Sequence, residues 1–87
     1  MSRLIFDEVA WENYLWCQLR DKRMLAKLNT LFKEILRHPT EGAGRPEQLR
    51  GSANTWSRRV NEKGRLVYEV SEDEIVVKQC RGHYGDK

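Results

Sequence analysis

The sequence predicts an α+β domain in the order βααβββ, with a two-helix hairpin packed on one face of an antiparallel sheet. Three observations carry this. Apolar residues recur at helical spacing from Met24 to Leu36. Both prolines and three of the six glycines fall in residues 39–55. Three runs rich in β-branched and aromatic residues follow, separated by short polar turns.

Taken in order, Arg3 to Phe6 is a short strand that stops at Asp7, a good N-cap for a helix running to about Arg20. In that helix Trp11 and Leu15 share a face, with Tyr14 nearby. Asp21 restarts the chain as a second N-cap. Met24, Leu25, Leu28, Leu31, Phe32, Ile35 and Leu36 then form one wide apolar stripe with a period near 3.6. Arg37 and His38 suit the C-terminus of this helix, His38 as a cap, and Pro39 stops it. A short joint at Arg20–Asp21 makes an antiparallel helical hairpin. Residues 39–55 read as a loop, and a loop this long inside a compact domain is often functional. Strands are expected at Trp56–Asn61, Arg65–Val70 and Glu74–Arg81, forming an antiparallel meander.

With 87 residues the chain is expected to be one domain, residues 1–87. Its 16 Lys and Arg against 13 acids leave only +3, too little by itself to name a partner. Ten of the basic residues are Arg, whose planar fork matches phosphate oxygens. Any one of them is readable as a solvated surface charge; the adjacent Arg58 and Arg59, close to Arg65, point toward a phosphate ligand. Two cysteines, Cys17 and Cys80, read as small buried hydrophobes in a reducing cytosol. With only His38 and His83 to join them, no metal-ligand spacing is present, and no metal or cofactor is expected. No apolar run approaches the ~20 residues that span a bilayer, so no membrane partner is expected and the location is read as cytoplasmic.

Glu62-Lys63-Gly64 reads as a three-residue hairpin loop with Gly64 in the left-handed conformation. That register pairs Arg59 with Val67. It puts Trp56, Val60, Leu66, Tyr68 and Val70 on the face toward the helices, and Ser57, Arg59, Arg65 and Val67 on the opposite face. Arg59 and Arg65 become diagonal neighbours, ~7–8 Å apart at the backbone. Two guanidiniums that close repel unless an anion lies between them. Arg58 falls on the apolar side and is expected to snorkel outward at an uncovered edge.

An open, Arg-lined sheet face suggests RNA. RNA is cut without metal when the ribose 2′-OH attacks the adjacent phosphorus and the 5′-oxygen leaves, given a base, an acid and cations for the phosphorane. The ordinary side-chain pKa values, ~4.3 for Glu and ~6.5 for His, suit these two roles near neutrality. His83 follows the last strand among Arg81 and Tyr84, although spacing alone favours an exposed tail histidine. Tyr84 is placed to stack on a base or to pack on the sheet edge. Glu47 lies in the Gly/Pro loop, where catalytic residues often sit, but composition alone makes it one acid among 13.

Together these strings resemble the YoeB/Txe family of RelE-like toxins. Glu41-Gly42-Ala43-Gly44-Arg45-Pro46-Glu47-Gln48-Leu49-Arg50 resembles that family's Gly/Pro loop. Trp56-Ser57-Arg58-Arg59-Val60, Arg65-Leu66-Val67-Tyr68 and Cys80-Arg81-Gly82-His83-Tyr84 resemble its strands and its ending. Trp11, Tyr14 and Lys22-Arg23 match its helices. The resemblance implies a microbial-RNase fold and a toxin of a type II toxin–antitoxin system that cuts mRNA in the ribosomal A site without metal. It implies Glu47 as general base, His83 as general acid, Arg59 and Arg65 as phosphate-stabilising cations, and Tyr84 as the residue that orients substrate. Arg50, Arg58 and Arg81 join as RNA-binding residues. Arg50 stands where the family usually has Lys, which keeps the charge but not the donor geometry. Lys63-Gly64 departs from the usual residues before the Arg-Leu-Val-Tyr strand, and Gly85-Asp86-Lys87 extends past the His-Tyr pair.

The implied partners are mRNA on the 70S ribosome, a YefM/Axe-like antitoxin, a second copy in a homodimer, and operator DNA only through the antitoxin complex. The competing reading is a non-catalytic RelE/ParE-like binding module acting through antitoxin, DNA or gyrase. A plain small basic domain explains the core but not the four strings.

Overall fold

One aspartate joins the two helices. In the computed structural model, which describes residues 2–82, Asp21 sits between helix α1 (Glu8–Arg20) and helix α2 (Lys22–Arg37). Its N–H donates to the Cys17 carbonyl, ending α1, and its carboxylate accepts from the Met24 N–H at 3.1 Å, starting α2. Asp7 holds the N-cap position of α1, but its carboxylate bonds the Lys78 ammonium at 2.8 Å instead of a helix N–H. His38 closes α2 as expected, its N–H donating to the Glu34 carbonyl. The stripe on α2 buries Met24, Leu28, Leu31, Phe32 and Ile35 against the sheet, while Leu36 stays partly exposed at its end.

The sheet has five strands in the order β1-β5-β4-β3-β2. These are β1 (Arg3–Phe6), β2 (Glu47–Gln48), β3 (Thr55–Arg59), β4 (Arg65–Val70) and β5 (Glu74–Gln79). The expected α+β class and helix-on-sheet layering stand, with two corrections. The sheet is mixed, because β1 lies parallel to β5, Arg3 opposite Glu74 through Phe6 opposite Val77. The connection from β1 to β5 runs through both helices and strands β2, β3 and β4, well beyond the length that a parallel pairing needs. The second correction is β2, a two-residue strand inside the stretch read as loop, paired antiparallel to β3.

The β3–β4 turn also differs from expectation. The strands pair Arg59 with Arg65 and Arg58 with Leu66, leaving residues 60–64 between them. The Asn61 side-chain oxygen accepts from the N–H groups of Lys63 and Gly64, and the Val60 N–H donates to the Gly64 carbonyl at 2.9 Å. This Asx turn takes up the residues that a three-residue loop would have put into the strands. Gly64 is not left-handed; a Cβ there would lie 2.7 Å from Met24 Cε, so the glycine serves a close approach of turn to helix. The shift is two residues, and side chains alternate with period two, so the face assignments survive it.

The face toward the helices holds Leu66, Tyr68, Ile75 and Val77, with Trp56, Val70, Leu4 and Phe6 packed around them. Cys17 and Cys80 are both buried and free, as expected. Burial pushes the Cys80 thiol up to about 12 and raises that of Cys17. Among the described residues no helix is long and apolar enough to cross a membrane.

Candidate active site

Register alone brings the open-face residues together. Glu47 pairs with Ser57, Ser57 with Val67, and Val67 with Gln79, so these four form one row across the sheet on the side away from the helices. The adjoining row on the same side is Arg59 directly opposite Arg65. Ser57 and Val67 are buried and make a floor, Arg65 is half-buried, and Glu47 and Arg59 are exposed. Directly opposed residues are ~4.5–5.5 Å apart at Cα, and diagonal ones ~7–8 Å. The backbones of Arg59 and Arg65 are therefore closer than the sequence predicted, and Glu47 stands diagonally from Arg59 across one strand boundary. Such an arrangement has the charges to take a phosphate between two cations with a carboxylate beside it.

The stretch leading to Glu47 is clamped from below by Arg58. This side chain is 0 % exposed, on the same face as Leu66 and Tyr68. Its Nε donates to Tyr68 Oη at 3.0 Å, Nη1 to Glu34 Oε1 at 2.9 Å and to the Ala43 carbonyl at 3.0 Å, and Nη2 to the carbonyls of His38 and Glu41. Glu34 Oε1 accepts from the Ala43 N–H as well, and Tyr68 Oη donates to the Pro39 carbonyl at 2.7 Å. The expectation that Arg58 snorkels to the surface and binds RNA is overturned. Carbonyls from residues 38–43 and the Glu34 carboxylate satisfy the guanidinium, so it stays inside. The Ala43 N–H bond, and then Arg58, hold the Glu34 carboxyl below its ordinary range, while burial raises the Tyr68 phenol.

Above the clamp the Gly44 carbonyl accepts from the Arg59 N–H at 2.6 Å. Gly44 has φ +84°, and a Cβ there would lie 2.9 Å from the Arg59 carbonyl oxygen. Only glycine lets the chain pass this close before β2 begins.

The remaining sequence-predicted residues divide. Arg50 is exposed in the turn after β2. Arg81 turns toward α1, its guanidinium stacked 3.5 Å above the Trp16 ring, rather than joining Arg59 and Arg65. The Gly82 carbonyl accepts from the Arg65 N–H at 2.8 Å, so the last described residue is held beside the arginine pair. His83 and Tyr84 lie outside the described residues. Sequence reasoning missed the Arg58–Glu34 clamp. Its one available signal was the strand parity that set Arg58 among apolar neighbours. Among the described residues no three His, Cys, Asp or Glu side chains cluster to hold a metal.

Residues 6–84 match the family described as YoeB-like toxin of bacterial type II toxin-antitoxin system. The chain belongs to this YoeB family. It is 45% identical to Toxin YoeB of Escherichia coli K12 over 83 residues, covering 94% of this chain and 99% of that one. A YoeB dimer from Staphylococcus aureus superimposes with TM-score 0.89 at 39% identity, covering 95% of this chain and 98% of that chain. The toxin of a heterotetrameric YoeB–YefM complex from the same organism does so with TM-score 0.85 at 38% identity, covering 97% and 99%. In this YoeB-family chain, the Glu41–Arg50 string forms the clamped loop and β2, Trp56–Arg59 lies in β3, and Arg65–Tyr68 opens β4.

Proposed function

We propose that this type II toxin is a ribosome-dependent endoribonuclease that cuts mRNA in the A site. The observation that carries the reading is the β2–β3–β4 register, which sets Glu47 on the same sheet face as the directly opposed Arg59 and Arg65. In this reading Glu47 takes the 2′-OH proton as the oxygen attacks phosphorus. Arg59 and Arg65 hold the non-bridging oxygens as the phosphorane forms. His83 protonates the departing 5′-oxygen, leaving a 2′,3′-cyclic phosphate and a 5′-hydroxyl. Tyr84 orients the substrate and Arg50 contacts its backbone. The Gly82 carbonyl on the Arg65 N–H supports the roles of the two residues that follow in sequence.

Each proton transfer and charge is assigned to a side chain, so cleavage should survive EDTA with ribosomes kept intact by other means. The partners in this reading are the 70S ribosome with its mRNA in the cytoplasm, a YefM/Axe-like antitoxin that covers the open face, operator DNA reached through that complex, and a second copy of the chain. The test is cleavage of mRNA on translating ribosomes. Glu47→Gln and His83→Ala should each lose most A-site cutting while circular dichroism stays unchanged. Wild-type rates in either variant would remove that residue from its role. A folded wild-type chain that neither cuts nor arrests growth would leave the non-catalytic binding module instead.

A further inference from the structure

Residues 80–82, the last described ones, are tied down from two sides. β1 pairs with β5 as far as Phe6 opposite Val77. Three residues further along the chain, α1 supplies the partner instead: Asn13 Oδ1 accepts from the Cys80 N–H at 3.1 Å. The Cys80 side chain is buried under α1, where its thiol donates to the Ala10 carbonyl at 3.5 Å. From the other side the Arg65 N–H donates to the Gly82 carbonyl at 2.8 Å. Between these two bonds the Arg81 guanidinium lies over the Trp16 ring, 3.5 Å from its centre.

Arg81 is the informative member. Side chains alternate along extended chain, and Cys80 points toward the helices. Alternation alone would put Arg81 on the open face beside Arg65. Instead the chain bends and the guanidinium rests on the indole, the ring that holds a cation best. Among the described residues Arg81 makes no ion pair, so the Trp16 ring is what draws it to α1. A cation held on the indole is kept off the Arg59–Arg65 pair, and it anchors the chain that carries it.

We infer that Asn13 and Trp16 of α1 are positioning residues, holding Cys80 and Arg81 so that His83 is presented to the Arg59–Arg65 pair. This role rests on His83 being the general acid of the reaction proposed above. It gives α1, which contributes nothing to the open face, a part in that reaction, and it makes Arg81 a tether instead of an RNA contact. The Cα of residue 83 lies ~3.8 Å from that of Gly82, so a shift at the tether passes to it almost undiminished. A misplacement of about 1 Å at a reacting group can cost about 10²-fold in rate.

Cleavage kinetics on translating ribosomes, with amide hydrogen exchange as a readout independent of cleavage, test this. Trp16→Ala should lower kcat about tenfold while KM for ribosomes and melting temperature stay unchanged. It should also speed exchange of the Arg65 amide. Trp16→Phe keeps a ring under the guanidinium and should recover most of the rate. Arg81→Ala should match Trp16→Ala, and the double variant should lose no more than either single one. In a His83→Ala background, Trp16→Ala should cost less than about twofold, because a positioning residue has nothing left to position. Asn13→Leu should lower kcat as Trp16→Ala does, and Asn13→Asp, which keeps the acceptor, should not. An Arg81→Ala chain with raised KM beside a Trp16→Ala chain of wild-type rate makes Arg81 an RNA contact and overturns the proposal. So does faster Arg65 exchange in Trp16→Ala with kcat unchanged. A wild-type chain whose Arg65 amide is protected but which cuts no mRNA refutes the nuclease reading itself, and the positioning role with it.

Discussion

Arg58 and Arg59 are neighbours in β3 with the same side chain, and they have opposite fates. Arg58 is enclosed, with five hydrogen bonds to Tyr68, Glu34 and three loop carbonyls. Arg59 is exposed on the far face opposite Arg65. The strand's two-residue alternation makes one a structural clamp and sets the other on the open face, where the proposed function puts the phosphate. The pair teaches that a run of adjacent arginines is not one electrostatic patch. Half of it builds the loop, and the other half lies on the open sheet face.

Exchanging each arginine for methionine breaks the comparison most sharply. Arg58→Met should strip the loop carbonyls and Glu34 of their partner and cost about 3–5 kcal/mol, the range for removing one member of a buried ion pair. Urea denaturation reads this directly; a loss below about 1 kcal/mol would mean that the clamp is not what holds residues 38–43. Arg59→Met should change stability by no more than about 0.5 kcal/mol. It should slow ribosome-dependent cleavage about 10²–10³-fold, as loss of one charge-stabilising donor does. If instead Arg59→Met unfolds the chain and Arg58→Met does not, the assignment of the two faces is reversed.

Gly44 sharpens the same contrast, since it packs against both Arg58 and the Arg59 backbone. Gly44→Ala places a Cβ against the Arg59 carbonyl at positive φ and should destabilise the chain by about 1–3 kcal/mol. Cleavage should fall as well if Arg59 is displaced, and a fully stable, fully active variant would show the loop to be slack.

The smallest effect is in acid. The folded chain holds Glu34 below its ordinary value of 4.5, first through the Ala43 N–H and then through Arg58. A depressed carboxyl adds stability that is present above its unfolded pKa and is lost as pH falls through the folded value. Melting temperature should therefore drop as pH is lowered from about 5 toward about 3, and Glu34→Gln should flatten part of that slope. An unchanged slope would place the acid sensitivity elsewhere, for example in Asp7, which Lys78 holds low.

Much of the fold was readable in advance because its signals are local. The α2 stripe, the caps at Asp21 and His38, and the division of β3 and β4 into two faces all follow from spacing and residue type. The burial of the two cysteines follows in the same way. The hairpin register was missed by two residues because an Asx turn at Asn61 depends on a side-chain bond that composition does not reveal. Arg58 was misplaced because its partners lie on α2 and in the loop, far away in sequence.

Periodicity states which way a side chain points relative to its own strand, and spacing states where helices begin and stop. Those are properties of a few adjacent residues, and here they were enough for the class, the layers and the family strings. Which strands lie side by side is set by hydrogen bonds between segments distant in the chain. The parallel placement of β1 on β5, the pairing of Glu47 with Ser57 and the enclosure of Arg58 were decided only there. The candidate site belongs to this second kind, since its carboxylate and its two facing cations meet through strand pairing and not through any motif that contains all three.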